Sequence, residues 1–165
     1  DRSASRFEML ERRMSELVPP SHAHSATEDS STTQPCVRVR CHLGDFLETT
    51  TDEFPDVKCI MLDPSCSGSG MAAHRSSEGG GSAAFSDGPA YSDDRVASLA
   101  RFQLKALQHA MSQFPSLRRI VYSTCSLYAV ENEQVVANAL ASWSSSTPSN
   151  GWELVSPACL KGWNR

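Results

Sequence analysis

An acid, a thiol, three serines and two glycines stand together at Asp63-Pro64-Ser65-Cys66-Ser67-Gly68-Ser69-Gly70, directly after the apolar run Cys59-Ile60-Met61-Leu62. A second thiol has a similar setting, where Ile120-Val121-Tyr122-Ser123 leads into Thr124-Cys125-Ser126. The thiolate is the nucleophilic form of cysteine. Two thiols delivered by two strand ends suit covalent chemistry on a molecule held between them. A single cysteine after a strand is most often a small packing residue. A pair of them, one inside a Ser/Gly turn with an acid, shifts the balance to function. Gly68 and Gly70 alone predict a tight turn and no more.

The elements that must position these turns can be read from periodicity. Phe7, Leu10, Met14 and Leu17 fall at helical spacing over 2–17, and Pro19-Pro20 stops that helix. A Ser/Thr-rich polar stretch over 21–34 reads as a loop. Val37 and Val39 alternate with Arg38 and Arg40, predicting a short strand before Gly44-Asp45-Phe46. Val57–Leu62 is apolar nearly throughout, the pattern of a strand covered on both faces. Residues 71–94, with Gly79-Gly80-Gly81 among serines, read as a flexible insertion. A helix is predicted over 94–113, with Val96, Leu99, Gln103, Leu107 and Ala110 down one side, ending at Phe114-Pro115. Leu117–Tyr122 is the next strand. Val135, Val136, Ala139 and Leu140 mark a last helix with Glu131 and Glu133 in its first turn, the favoured sign there. Trp152–Val155 is a candidate final strand.

Strands alternating with helices predict an α/β domain with a parallel sheet. A helix-containing, right-handed crossover from Leu62 to Leu117 sets those two strands side by side, about 4.8 Å apart. Ligands of open α/β sheets bind beyond the carboxyl ends of the strands. Asp1, Asp45, Asp63, Cys66 and Cys125 all fall at or just past such ends, so Cys66 and Cys125 are expected to face one cavity.

The 165 residues amount to one domain, and a net charge of -4 leaves no general basic footprint for nucleic acid, so any RNA contact must be local. No stretch approaches a membrane span and no signal peptide opens the chain. The chain begins with Asp1 rather than methionine, and the expectation is a domain cut at both ends. Six irregularly spaced cysteines in a chain this long favour a reducing compartment over a disulfide framework. Cys36, Cys41 and His42 could be imagined as metal ligands, but no CxxC pair accompanies them, and no metal is expected. Cys36, Cys41 and Cys59 read instead as buried small hydrophobes.

With those residues placed, the chain resembles the Sun (RsmB/RsmF) family of RNA cytosine-5 methyltransferases. That family pairs an Asp-x-Pro-Cys-Ser-Gly-type turn with a Ser/Thr-Thr-Cys-Ser turn one strand later. The counterparts here are Asp63-Pro64-Ser65-Cys66-Ser67-Gly68 and Ser123-Thr124-Cys125-Ser126. The extension to Gly70, together with Glu131-Asn132-Glu133, is similar to the fifth Sun-family branch, whose substrate class is large-subunit ribosomal RNA. The resemblance runs from Asp1 to about Arg165, excepting loops at about 18–35 and 71–93.

It implies a Rossmann-like, S-adenosylmethionine-dependent methyltransferase domain over 1–165, truncated at both ends. Asp1 is similar to the acid that binds the cofactor's ribose hydroxyls, Arg6 to a basic position of that site, and Asp45 to the residue near the adenine. Asp63 then lies between cofactor and target base. The family's glycine-rich cofactor loop and the lysine after it would precede Asp1. A thiolate from Cys125 is expected to add to cytosine carbon 6. Asp63, buried beside the ring, would bond the N3 edge with a raised pKa. Cys66 would remove the carbon 5 proton or otherwise release the enzyme. The loop around Cys125 must lower its pKa, because an unperturbed thiol is only a few per cent ionised near neutrality. The target base has to be unstacked to be reached. The implied partner is ribosomal RNA and the implied location the nucleolus.

Two other classes compete. A cysteine hydrolase needs a histidine partner, and nothing in the sequence brings one to Cys125. A non-catalytic RNA-binding or ribosome-assembly factor of the same fold is the alternative that the missing cofactor loop leaves open.

Overall fold

A stripe of Val96, Ala100, Gln103, Ala106, Leu107, Ala110 and Met111 recurs at helical spacing and is buried along its length. It organises the larger of two compact units, Asp1–Thr49 and Thr50–Arg165. The computed structural model describes residues 3–17, 39–71, 92–146 and 151–156. The loops expected at 18–35 and 71–93 lie almost wholly outside those residues, as does Asp1.

In the smaller unit, helix α1 spans Ala4–Leu17, as the periodicity predicts. A 3-10 turn, Phe46–Glu48, is capped by Asp45. Among the residues predicted as a strand before it, Val39 and Arg40 are described and belong to no strand. A groove in this unit, lined by Glu8, Glu11, Arg12, Met14, Ser15, Val39 and Cys41, contains none of the predicted site residues.

In the larger unit, strand β1 (Cys59–Leu62) leads towards the first thiol turn, and helix α2 (Asp93–Gln113) returns the chain to strand β2 (Arg119–Tyr122). The two strands pair in parallel, with Cys59 opposite Arg119 and Leu62 opposite Tyr122. The adjacency expected of the crossover is therefore present. A 3-10 turn, Ala129–Glu131, then enters helix α3 (Glu133–Ser146). Helix α2 packs against α3, that turn and both strands. Leu62, Val96, Leu107, Met111, Phe114, Leu117, Val135 and Ala139 form the core between them. Each fully buried Leu, Val or Met contributes about 1.5–3 kcal/mol relative to an exposed position.

Two expectations fail here. Trp152–Val155 forms no strand, and Leu154 and Val155 are exposed. The sheet is also covered on one face only among the described residues. Leu62 is buried on the helix side, whereas Met61 is 79% and Val121 56% exposed on the other. Side chains alternate faces along a strand, so Cys59 shares the open face with Met61. It is exposed rather than buried.

Candidate active site

Both strands end in register, and their pairing continues into the turns. Ser123 N donates to Leu62 O at 3.0 Å, and Ser123 Oγ donates to Asp63 Oδ1 at 3.2 Å. From those ends the two thiols converge. Cys66 Sγ and Cys125 Sγ are 3.1 Å apart, both free thiols, Cys66 half-buried and Cys125 exposed.

Glycines and serines make that approach possible. Gly68 has φ +70°, a left-handed conformation that favours glycine. Gly70 is glycine for a different reason. Its N–H donates to Cys125 O at 2.9 Å, and a Cβ on Gly70 would stand 2.9 Å from that same oxygen. Ser69 Oγ accepts from Leu127 N at 2.8 Å. Ser67 Oγ donates to Ser126 Oγ at 3.1 Å, and the Ser69 hydroxyl lies 3.3 Å from that of Ser126. Thr124 Oγ1 donates to Asn132 Oδ1 at 2.5 Å and accepts from Ser126 N at 3.1 Å, fixing the second turn from within.

Beneath the thiols is a polar cluster that sequence reasoning missed. Glu131 and Gln103 are both 0% exposed. Glu131 Oε1 accepts from Ser67 N at 3.0 Å and from Gln103 Nε2 at 2.9 Å, and Oε2 accepts from Ser126 Oγ at 2.6 Å. Gln103 Nε2 also donates to Ser65 O at 3.0 Å. Tyr122 OH donates to Glu131 O at 2.6 Å. One signal was visible beforehand. Gln103 is a polar residue in the middle of an apolar helical stripe, and a buried amide requires partners.

Electrostatics follows from these contacts. Burial alone pushes the Glu131 carboxyl up, but hydrogen bonds from Ser126, Ser67 and Gln103 outweigh it and leave the group below its ordinary value. Burial first, then Glu131 and Cys66, push the Tyr122 hydroxyl up, so it stays a donor. The Cys125 thiol is also pushed up, first by its hydrogen bond with Cys66, then by desolvation and by the charges of Cys66 and Asp63, against one backbone hydrogen bond that lowers it. The loop therefore does the opposite of what was expected of it. Two thiols in contact resist double ionisation, and a nearby carboxylate adds to the resistance.

The remaining predicted residues are distributed as follows. Asp63 is at the end of β1 beside the thiols but exposed, not buried. Asp45 is half-buried and its Oδ1 accepts from Leu47 N at 3.0 Å, a capping role. Arg6 is an exposed residue of α1. Among the described residues no group of three or more His, Cys, Asp or Glu could hold a metal. No helix there is long and apolar enough to cross a membrane.

No family profile matches the chain. Curated proteins do. It is 46% identical over 105 residues to a 28S rRNA (cytosine-C(5))-methyltransferase of Drosophila melanogaster, covering 64% of this chain and 22% of that protein. To the 25S rRNA (cytosine-C(5))-methyltransferase NSUN5 of Arabidopsis thaliana it is 43% identical over 120 residues, covering 68% and 21%. To a 28S rRNA (cytosine-C(5))-methyltransferase of Mus musculus it is 47% identical over 104 residues, covering 61% and 21%. The chain spans about a fifth of the length of these relatives. Their shared class is that of RNA methyltransferases. Within that class the chain is similar to proteins named as 25S and 28S rRNA cytosine-C(5) methyltransferases.

Proposed function

We propose that this chain is the thiol-bearing part of an S-adenosylmethionine-dependent RNA cytosine-5 methyltransferase of Rossmann-like fold, acting on large-subunit ribosomal RNA in the nucleolus. The relatives' printed activities support the substrate class. The observation that carries the chemistry is the 3.1 Å meeting of Cys66 and Cys125 at the ends of paired parallel strands.

Cytosine carbon 5 is a weak nucleophile. Addition of the Cys125 thiolate to carbon 6 forms an S–C bond and moves a ring electron pair onto carbon 5, dividing one hard step into two. S-adenosylmethionine, when bound, supplies an electrophilic methyl group. Asp63, beside the thiols in the larger unit, suits such a ligand chemically, since a carboxylate favours a positive charge; Arg6 and Asp45 of the smaller unit are assigned to the cofactor by the family resemblance alone. Asp63 is exposed on the side where the base would enter and is oriented by Ser123. It is assigned the N3 edge of the base. After methylation, carbon 5 loses its proton, the electron pair re-forms the double bond to carbon 6, and the Cys125 thiolate leaves. Cys66 is assigned that proton removal or the release step. The base must be extruded from its stack to meet the thiols.

The test uses the intact enzyme with its RNA. Cys125→Ala is expected to abolish methyl transfer. Cys66→Ala is expected to slow turnover roughly 10²- to 10⁴-fold, the range of a lost proton transfer, and to accumulate RNA covalently joined to protein on a denaturing gel. Equal, adduct-free loss in both variants contradicts this division of labour. Full activity with only a lower Tm returns both thiols to packing and favours the non-catalytic assembly factor.

A further inference from the structure

Glu131 takes no part in the steps above, yet it is a carboxylate with no exposed surface, an expensive group to bury. Its contacts are specific. The residue after Cys66, Ser67, donates its N–H to Oε1, and the residue after Cys125, Ser126, donates its hydroxyl to Oε2. The residue before Cys66, Ser65, is held by the same Gln103 amide that donates to Oε1. Tyr122 OH, at the end of β2, grips the Glu131 carbonyl. Each carboxylate oxygen thus holds one of the two thiol turns.

We propose that Glu131 is a positioning residue that fixes the separation of the Cys66 and Cys125 thiols by clamping the residue that follows each. This rests on reading the two thiols as the reacting pair. A carboxylate suits the task because it only accepts, and all three of its side-chain partners donate. Charge-assisted bonds of this kind are the stronger class. Glutamine would turn an NH2 group towards one of the donors, leaving Ser126 to rotate its hydroxyl elsewhere. Alanine removes both arms. A role confined to anchoring α3 predicts changes in stability with no change in how the thiols meet.

The measurement is the equilibrium between the protein dithiol and oxidised glutathione. A thiolate displaces one glutathione thiolate to form a mixed disulfide. The second protein thiolate then displaces the other, so the protein loses two electrons and two protons and one disulfide becomes two glutathiones. Peptide mass spectrometry follows the Cys66–Cys125 disulfide, while circular dichroism and Tm confirm folding. Glu131→Ala is expected to lower the equilibrium constant roughly 10- to 100-fold, the worth of one strong hydrogen bond or more, which is about 30–60 mV in reduction potential. Glu131→Gln should recover part of that loss. Ser126→Ala, which leaves the bonds to Ser67 and Gln103 intact, should lose roughly 10-fold.

A folded Glu131→Ala with the wild-type equilibrium constant overturns the proposal. If Glu131→Ala does not fold, Ser126→Ala decides, and an unchanged constant there overturns it equally. Glutamine matching alanine denies a role to the acceptor and also counts against it. The assay needs neither RNA nor methyl donor. A wild type that couples its thiols but transfers no methyl group, with no RNA adduct in Cys66→Ala either, refutes the proposed reaction and leaves the clamp standing.

Discussion

Replacing Gly70 by alanine sets two effects of opposite sign against each other. Gly70 lies in a helical turn, residues 69–71, and its φ is not in the left-handed region. At an ordinary helical position glycine to alanine stabilises by about 1 kcal/mol. Here the added Cβ would stand 2.9 Å from the Cys125 carbonyl oxygen, a backbone atom that cannot swing aside. Crowding of that kind costs typically about 1–3 kcal/mol. The displaced turn also weakens the Gly70 N–H to Cys125 O hydrogen bond, worth about 0.5–1.5 kcal/mol. The net expectation is destabilisation by roughly 1–3 kcal/mol, together with a weaker Cys66–Cys125 coupling. Urea unfolding measures the first as a lower midpoint at constant slope, and the glutathione equilibrium measures the second. Gly68→Ala is the control. Nothing stands within 4 Å of its Cβ, and only the φ of +70° opposes it, so it should lose about 1–2 kcal/mol without separating the thiols. A Gly70→Ala protein more stable than wild type would refute the contact between the two turns, because helix propensity alone would then account for the result.

Two further expectations concern pH. Cys125 is raised above the ordinary thiol value chiefly by Cys66, so its alkylation by iodoacetamide, followed by peptide mass spectrometry, should have a midpoint above about 8.5 and fall towards that value in Cys66→Ala. A midpoint unmoved by that substitution would show that the two sulfurs do not interact. Glu131 is lowered in the folded state. Its contribution to stability is therefore complete above the unfolded carboxyl value of about 4.3 and lost as pH falls through the lower folded value. Denaturation midpoints measured between pH 7 and pH 3 should fall in wild type, and Glu131→Gln should flatten that part of the curve. Equal slopes in both would place the linkage elsewhere.

Periodicity was enough to find α1, α2, α3, both strands and their pairing, because each has an apolar pattern matched to its period, and in α2 and α3 that pattern is also buried. It was not enough at Val37–Arg40 and Trp152–Val155. Two alternating residues, or a short apolar run, make a strand only when a neighbour supplies the ladder, and periodicity says nothing about the neighbour. The misjudged burial of Cys59 has the same root, since its exposure depends on what covers the second face of the sheet. The thiol turns themselves were legible from residue types alone. Their fastening was not. Glu131 precedes a helix, where an acid is favoured for its charge, and that sufficient local reason concealed a tertiary one. The Cys125 shift was misjudged because a thiolate was considered singly. Once a second thiol stands in contact, the proton belongs to the pair.

The raised thiol bears directly on how the site must work. Among the neighbours that shift Cys125, Cys66 and Asp63 both resist the thiolate. Within this cluster both neighbours favour the protonated thiol of Cys125. The serine contacts between the two turns hold the sulfurs 3.1 Å apart, which favours proton exchange between them. In the proposed reaction, activation then comes from a change in charge on the side where both Cys125 and Asp63 are exposed. If a proton donor on the incoming molecule occupies Asp63, the carboxylate's opposition to the thiolate is screened, and Cys125 ionises in the complex more readily than before it. On this reading Asp63 couples occupancy to nucleophile formation, and its exposure in the unliganded protein is what leaves it open to that contact.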